Sequence, residues 1–234
     1  GIDADDRLGI QVHARPISEV FLGRFSQGEV QESQVDPRGA DGRTPIAPDA
    51  AARQVDRELA GRTAGCNPAH RVAPLAMAAF LPDSKLASLA TVEASLTHRH
   101  PLAGDAAAAV AVLCRALIRG LPWPEALARA AEGRLPQTAA ALDPEARSPL
   151  STGGFAPETL RAAVHFIDHA RGLEEAIGAS LRFAGPANYC PVLVGALGGA
   201  RWGAGAIPPA ALAPCRDLPR VERVAVRLAS GWDG

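Results

Sequence analysis

Apolar positions recur at helical spacing through most of the chain beyond residue 50. Between Lys85 and Thr97 they fall at Leu86, Leu89, Val92 and Leu96, the three-to-four step of one helix face. From Ala103 to Arg119 a second run places Val110, Leu113, Leu117 and Ile118 together, and Gly120 supplies a stop. The same reading predicts helices over 50–60, with Asp49 as N-cap, and over Pro124–Glu132, with proline in its first turn. Further helices are expected over Pro157–Ala170, Leu173–Phe183 and Pro191–Gly203, with a short one over Ile17–Phe25. Val72–Leu81 is apolar until Pro82 breaks it, and Val221–Leu228 reads equally as helix or strand. Residues 26–49, rich in Gly, Pro and Asp, read as loop or disorder; 133–157 and 204–220 read as loop. At least six helices and no convincing strand pattern predict an all-α fold, a compact orthogonal helical domain without a solenoid repeat.

Composition narrows this further. The 234 residues suit a single domain over 1–234, since one core serves roughly 200 to 250 residues. Hydrophobic residues make up 47% and aromatics only 4%, so Ala, Leu and Val must build the core through close helix packing. A net charge of −1 gives no electrostatic case for nucleic acid or an anionic membrane as partner. Lys85 is the only lysine, which reads as a codon bias toward arginine and not as a phosphate-binding design. Cys66, Cys114, Cys190 and Cys215 lack metal spacing and suit structural thiols in a reducing compartment. No apolar run of membrane-spanning length and no signal peptide are evident, so the expected location is cytoplasmic. Oligomeric state stays open, as does whether the start at Gly1 is native or trimmed.

The chemistry-bearing residues cluster in a few segments. Thr97-His-Arg-His-Pro101 ends a helix, and an irregular turn there can aim His98 and His100 into one cleft as acid or base. Gly65-Cys-Asn-Pro-Ala-His-Arg71 is a turn entering a helix, where Asn67 and Arg71 can hydrogen-bond a ligand. Ser151-Thr-Gly-Gly-Phe155 offers an aromatic for stacking. His165 and His169 have metal spacing but no third ligand, and read as a surface pair. Asp3, Asp5 and Asp6 read as a solvated terminus.

The stretch Leu181-Arg-Phe-Ala-Gly-Pro-Ala-Asn-Tyr-Cys-Pro-Val-Leu-Val-Gly-Ala-Leu-Gly-Gly-Ala-Arg-Trp-Gly203 closely resembles the C-terminal signature of the ADP-ribosylglycohydrolase family. Thr97–Pro101 resembles that family's Thr-His-x-His-Pro segment, in which the first histidine lines the substrate cleft. The 64–75 and 151–160 segments resemble two more of its motifs, in family order. The resemblance implies a pair of magnesium ions held by an N-terminal Thr-Asp-Asp-Thr and a C-terminal Asp-x-Asp-Thr. This chain has no such tetrad, and places Pro186, Asn188 and Tyr189 where the second motif has Asp, Asp and Thr. Proline cannot ligate through its side chain and a neutral amide binds magnesium weakly.

The expectation is therefore a divergent relative with no metal and no cofactor, whose central cleft takes a small molecule. His98, His100 and Tyr189 are the expected catalytic residues. Asn67, Arg71, Ser151, Gly154, Phe155, Gly185 and Asn188 are the expected ligand contacts. The expected activity is acid/base chemistry on a small metabolite or biosynthetic intermediate. The alternatives are a pseudoenzyme binding ADP-ribose, a nucleotide or a protein, and a magnesium-dependent hydrolase whose missing ligands lie outside this chain.

Overall fold

A computed structural model describes residues 48–185 and 189–232. The expected helix at Ile17–Phe25, the acidic cluster at Asp3–Asp6, and Pro186 and Asn188 lie outside the described residues, as does the expected loop at 26–49 except for Pro48 and Asp49, which are helical. By chain contacts, the described residues from Ala52 onward form one compact unit.

Among the described residues every regular element is a helix: α1 (Pro48–Glu58), α2 (Asn67–Arg71), α3 (Ala73–Met77), α4 (Asp83–Ala94), α5 (Pro101–Ile118), α6 (Trp123–Ala131), α7 (Pro136–Ala141), α8 (Ala156–Asp168), α9 (Leu173–Ala184), α10 (Tyr189–Trp202), α11 (Pro209–Leu212) and α12 (Leu218–Ala229). Extended pairing is limited to a single bridge between Gly65 and Phe155. The fold is all-α, as the periodicity implies. Four details differ from the sequence pattern. Within Val72–Leu81 only Ala73–Met77 is helical, as α3, with Val72 as its N-cap; Pro136–Ala141 forms a helix inside an expected loop, and the ambiguous C-terminal run is helical. Asp49 lies in the first turn of α1 and not at its cap.

Helix α5 is the axis of the unit. It is buried on nearly every side, and α2, α3, α4, α6, α7, α8 and α10 all pack on it. By length and apolarity alone it matches a membrane span, which corrects the expectation that no segment reaches that size; 78% of it lies inside the protein, as in a core helix. Ala106 to Ala109 are fully buried, and side chains this small let neighbouring backbones approach closely. The approach is tightest at Gly198 of α10, where an added Cβ would sit 2.6 Å from Leu173 Cδ1 of α9. That contact accounts for Gly198, whereas a Cβ at Gly195 or Gly199 would meet nothing within 4 Å.

Helix α4 buries a different stripe from the expected one. Leu86, Leu89, Ala90, Glu93 and Ala94 face inward, while Val92 is 48% exposed. At 100° per residue, the 86-89-90-93-94 set is the continuous stripe, and it carries an acid into the interior.

One charged side chain organises the opposite end of the unit. Arg115 of α5 is 3% exposed. Its guanidinium donates to the carbonyls of Leu75, Ala76, Ala78 and Leu81 and to Asp83 Oδ1, over 2.7–3.2 Å. The orphan carbonyls at the end of α3 are satisfied this way. Trp232 lies over the Arg115 and Arg119 guanidinium groups at 4.9 and 5.0 Å, and its Nε1 donates to Met77 O at 2.8 Å. Those bonds fix α3, and through it the adjoining α2.

Candidate functional site

The site is built on a two-stranded ribbon. The Cys66 N–H donates to Gly154 O and the Ala156 N–H donates to Ala64 O, both at 2.9 Å. Each strand runs straight into a helix, α2 on one side and α8 on the other. Thr159 closes the far loop by hydrogen-bonding to the carbonyls of Gly153 and Phe155 at 3.1 and 3.0 Å. Ser151 Oγ accepts from the Gly153 N–H at 3.1 Å and so sets the turn before it.

Two glycines on this ribbon admit two rings. A Cβ at Gly65 would lie 2.9 Å from His98 Nε2. A Cβ at Gly154 would lie 3.3 Å from the Tyr189 ring. Any larger residue displaces one ring or the other. Tyr189, at the first turn of α10, is 38% exposed, and Phe155 on the ribbon is 38% exposed as well.

A chain of polar contacts leads to His98 from the interior. Glu93 is buried, and its Oε1 accepts from Arg71 Nε at 2.5 Å. Arg71 Nη2 donates to Thr97 Oγ1 at 2.8 Å, and that oxygen lies 2.9 Å from His98 Nδ1. Glu93 Oε2 is buried with no partner among the described residues. Burial pushes the His98 pKa below the ordinary imidazole value, and the nearby Arg71 charge pushes it the same way. The ring is thus held neutral near pH 7.

His100 is placed differently. Its N–H donates to Thr63 Oγ1 at 3.1 Å, and its Nδ1 accepts from the Leu102 N–H at 3.2 Å. The imidazole serves as N-cap of α5, a role usually taken by Ser, Thr, Asp or Asn. Thr63 is anchored in turn by a short hydrogen bond to Asp56.

The structure therefore brings Arg71, His98, Gly154, Phe155 and Tyr189 around one ribbon. Ser151 and His100 join the same region through local backbone contacts. Asn67 is exposed at the first position of α2, and Gly185 is exposed at the end of α9 with φ +57°, where glycine is favoured. Asn188 lies outside the described residues. His165 and His169 stack with ring centroids 4.2 Å apart, while Asp168 Oδ1 accepts from Trp123 Nε1 at 2.9 Å. An open cavity of about 520 Å³ lies away from the ribbon, against Leu173, Glu175, Gly178, Arg182 and Ala206.

Sequence reasoning missed Glu93, Thr97 and His70. Thr97 stood inside a quoted motif, but its hydroxyl carried no signal beyond its place before His98. Glu93 is four residues earlier, in the last turn of α4, and Thr97 lies in the turn that follows that helix. His70 is half-buried, and its Nε2 has no partner. Burial lowers its pKa, and the facing Tyr189 backbone works against that. Burial disfavours the thiolate at three cysteines: it pushes Cys66 up, Cys190 to about 11 and Cys114 to about 12.

The magnesium pair implied by the family resemblance needs hard oxygen donors, chiefly carboxylates. Among the described residues no group of three His, Cys, Asp or Glu side chains is placed to hold a metal. Glu93, the carboxylate in the chain leading to His98, is engaged by Arg71. Beside Tyr189 stand glycine and imidazole. Among the described residues, this donor set around the ribbon does not suit magnesium.

Comparison with known proteins agrees with the architecture. A solved structure described as an "ADP-ribosylglycohydrolase-related protein complex" superposes with a TM-score of 0.67 at 29% identity, covering 77% of this chain and 68% of that one. Comparison with curated proteins gave no match. The family model for ADP-ribosylglycohydrolase matches residues 13–234. With nearly its whole length matched and the helical architecture shared, the chain belongs to the ADP-ribosylglycohydrolase family.

Proposed function

We propose that this protein is a metal-independent enzyme on the ADP-ribosylglycohydrolase scaffold, acting on a small metabolite or biosynthetic intermediate. The observation that carries this reading is the convergence of His98 and Tyr189 on one ribbon through Gly65 and Gly154. A neutral imidazole and a phenol on adjoining backbone form a pair suited to proton transfer and oxygen polarisation. The exposed Phe155 ring adds a stacking surface at the rim.

The test is a thermal-shift screen of a metabolite library in EDTA, with each stabilising compound followed for conversion. His98→Ala and Tyr189→Phe should leave binding of a converted compound within about tenfold while reducing its turnover about a hundredfold or more. Hydrolysis of ADP-ribosylated arginine that requires magnesium and stops in EDTA would sink the reading.

One observation favours a second reading, a ligand-binding pseudoenzyme. His100 caps a helix and Arg71 is drawn to Glu93, so two polar groups near the ribbon have structural partners. Tight ADP-ribose binding, with conversion of no compound in the screen, would favour it.

A further inference from the structure

Thr97 Oγ1 is the junction between the part-buried Arg71–Glu93 ion pair and the His98 ring. A hydroxyl has one proton to give and two lone pairs to receive with. One lone pair accepts from Arg71 Nη2 at 2.8 Å. The proton has two acceptors in reach, Ala94 O at 3.5 Å and His98 Nδ1 at 2.9 Å. Hydroxyl hydrogen bonds run at about 2.5–3.0 Å, so the carbonyl is too far to compete. A guanidinium donating into the oxygen also polarises the O–H and strengthens what it donates. Arg71 is held in place to do this by Glu93, whose Oε1 takes its Nε at 2.5 Å.

We infer that Thr97 and Arg71 are positioning residues that lock His98 in the neutral tautomer carrying its proton on Nε2. The opposite tautomer would put an Nδ1 proton against an oxygen that already accepts from a cation. It would also leave the hydroxyl proton of the exposed Thr97 with the distant Ala94 carbonyl as its protein acceptor and otherwise only solvent. Burial and the Arg71 charge keep a second proton off the ring.

The consequence concerns ligand chemistry, and it rests on the small-molecule reading above. A ring with hydrogen on Nε2 presents a donor and no acceptor at that nitrogen. Its complement is an acceptor oxygen on the ligand: a carbonyl, a phosphoryl or an ionised hydroxyl. His98 then polarises that oxygen and cannot remove a proton through Nε2. Gly65 makes room for the ring, because a Cβ there would sit 2.9 Å from that nitrogen.

The test uses the isotope-labelled full chain and long-range proton–nitrogen correlation of the histidine rings near pH 7.5. Wild type should show His98 as the Nε2–H tautomer, and Thr97→Val should convert it to a mixture. Thr97→Ser, which restores the hydroxyl, should restore the wild-type pattern. Arg71→Gln should shift it partway toward the Thr97→Val pattern. Unchanged His165 and His169 signals would show that each variant is folded. An Nδ1–H signature in wild type, or a Thr97→Val spectrum identical to wild type, would overturn the inference. A ligand from the screen should bind Thr97→Val about fivefold more weakly, the worth of one oriented hydrogen bond. The two readings fail separately: an Nε2–H ring in a chain that converts nothing sinks only the enzyme reading, and conversion by a chain with an Nδ1–H ring sinks only this one.

Discussion

Arg115 and Arg71 each draw a guanidinium out of full solvation, with opposite bookkeeping. Arg115 is 3% exposed, and four backbone carbonyls and Asp83 take up its donors. Arg71 keeps 27% of its side chain exposed, and it holds a buried carboxylate whose second oxygen has no partner among the described residues. A saturated node fixes a backbone path. An under-saturated one leaves polar capacity beside the ribbon. The first is the signature of structure, and the second is the kind of departure that clusters at functional sites.

The largest effect should come from breaking the saturated node. Arg115→Met removes the donors to the carbonyls of Leu75, Ala76, Ala78 and Leu81 together, with water largely kept away. We expect a loss of about 3–5 kcal/mol in folding stability, read from denaturant midpoints. A loss under about 1 kcal/mol would mean the carbonyls find other donors, and the contrast between the two arginines would lapse. Arg71→Met should cost less, about 1–3 kcal/mol, because its partly exposed position lets water reach Glu93. Adding Glu93→Gln should recover part of that cost, since the stranded charge goes with it. A double mutant as unstable as the sum of the two singles would show that the pair is not coupled.

The two nodes also differ in how visible they were beforehand. Helix α5 was legible because a long alanine-rich run ends at Gly120, and both signals are local. The Arg115 node was not, because its acceptors are backbone carbonyls, to which every residue type contributes alike. Helix α7 stayed hidden for a related reason. Its entry is capped from outside, by Asp105 Oδ2 accepting from the Leu135 N–H at 2.9 Å, and that acid sits thirty residues away on α5. Near the site, His98 was found through its motif. The roles of its neighbours were not, because Arg71 and Glu93 are 22 residues apart and meet only when α2 packs beside α4. His100 was read as a cleft residue, and its role as a cap was not legible, since histidine is an uncommon N-cap. The expected stripe through Val92 failed because equal spacing was read where the true face follows 3.6-residue drift.

The smallest predicted effect separates the two arginines by what they do to a neighbour. His70 and His98 both titrate below the ordinary value of 6.5 in the folded protein, each chiefly through burial. The unfolded chain therefore binds more protons between the folded pKa values and 6.5, and stability must fall as pH drops through that window. Lowering pH from about 7.5 to about 5.5 should move the denaturation midpoint down. Arg71 supplies part of the His98 shift; Arg115 supplies none of it. Removing Arg71 in a Glu93→Gln background, where no stranded acid confuses the titration, should raise the His98 pKa and flatten that pH dependence. Removing Arg115 should lower stability at every pH and leave the slope as it was. Equal slopes in both variants would mean that Arg71 exerts no field on His98, and that the two nodes differ only in exposure.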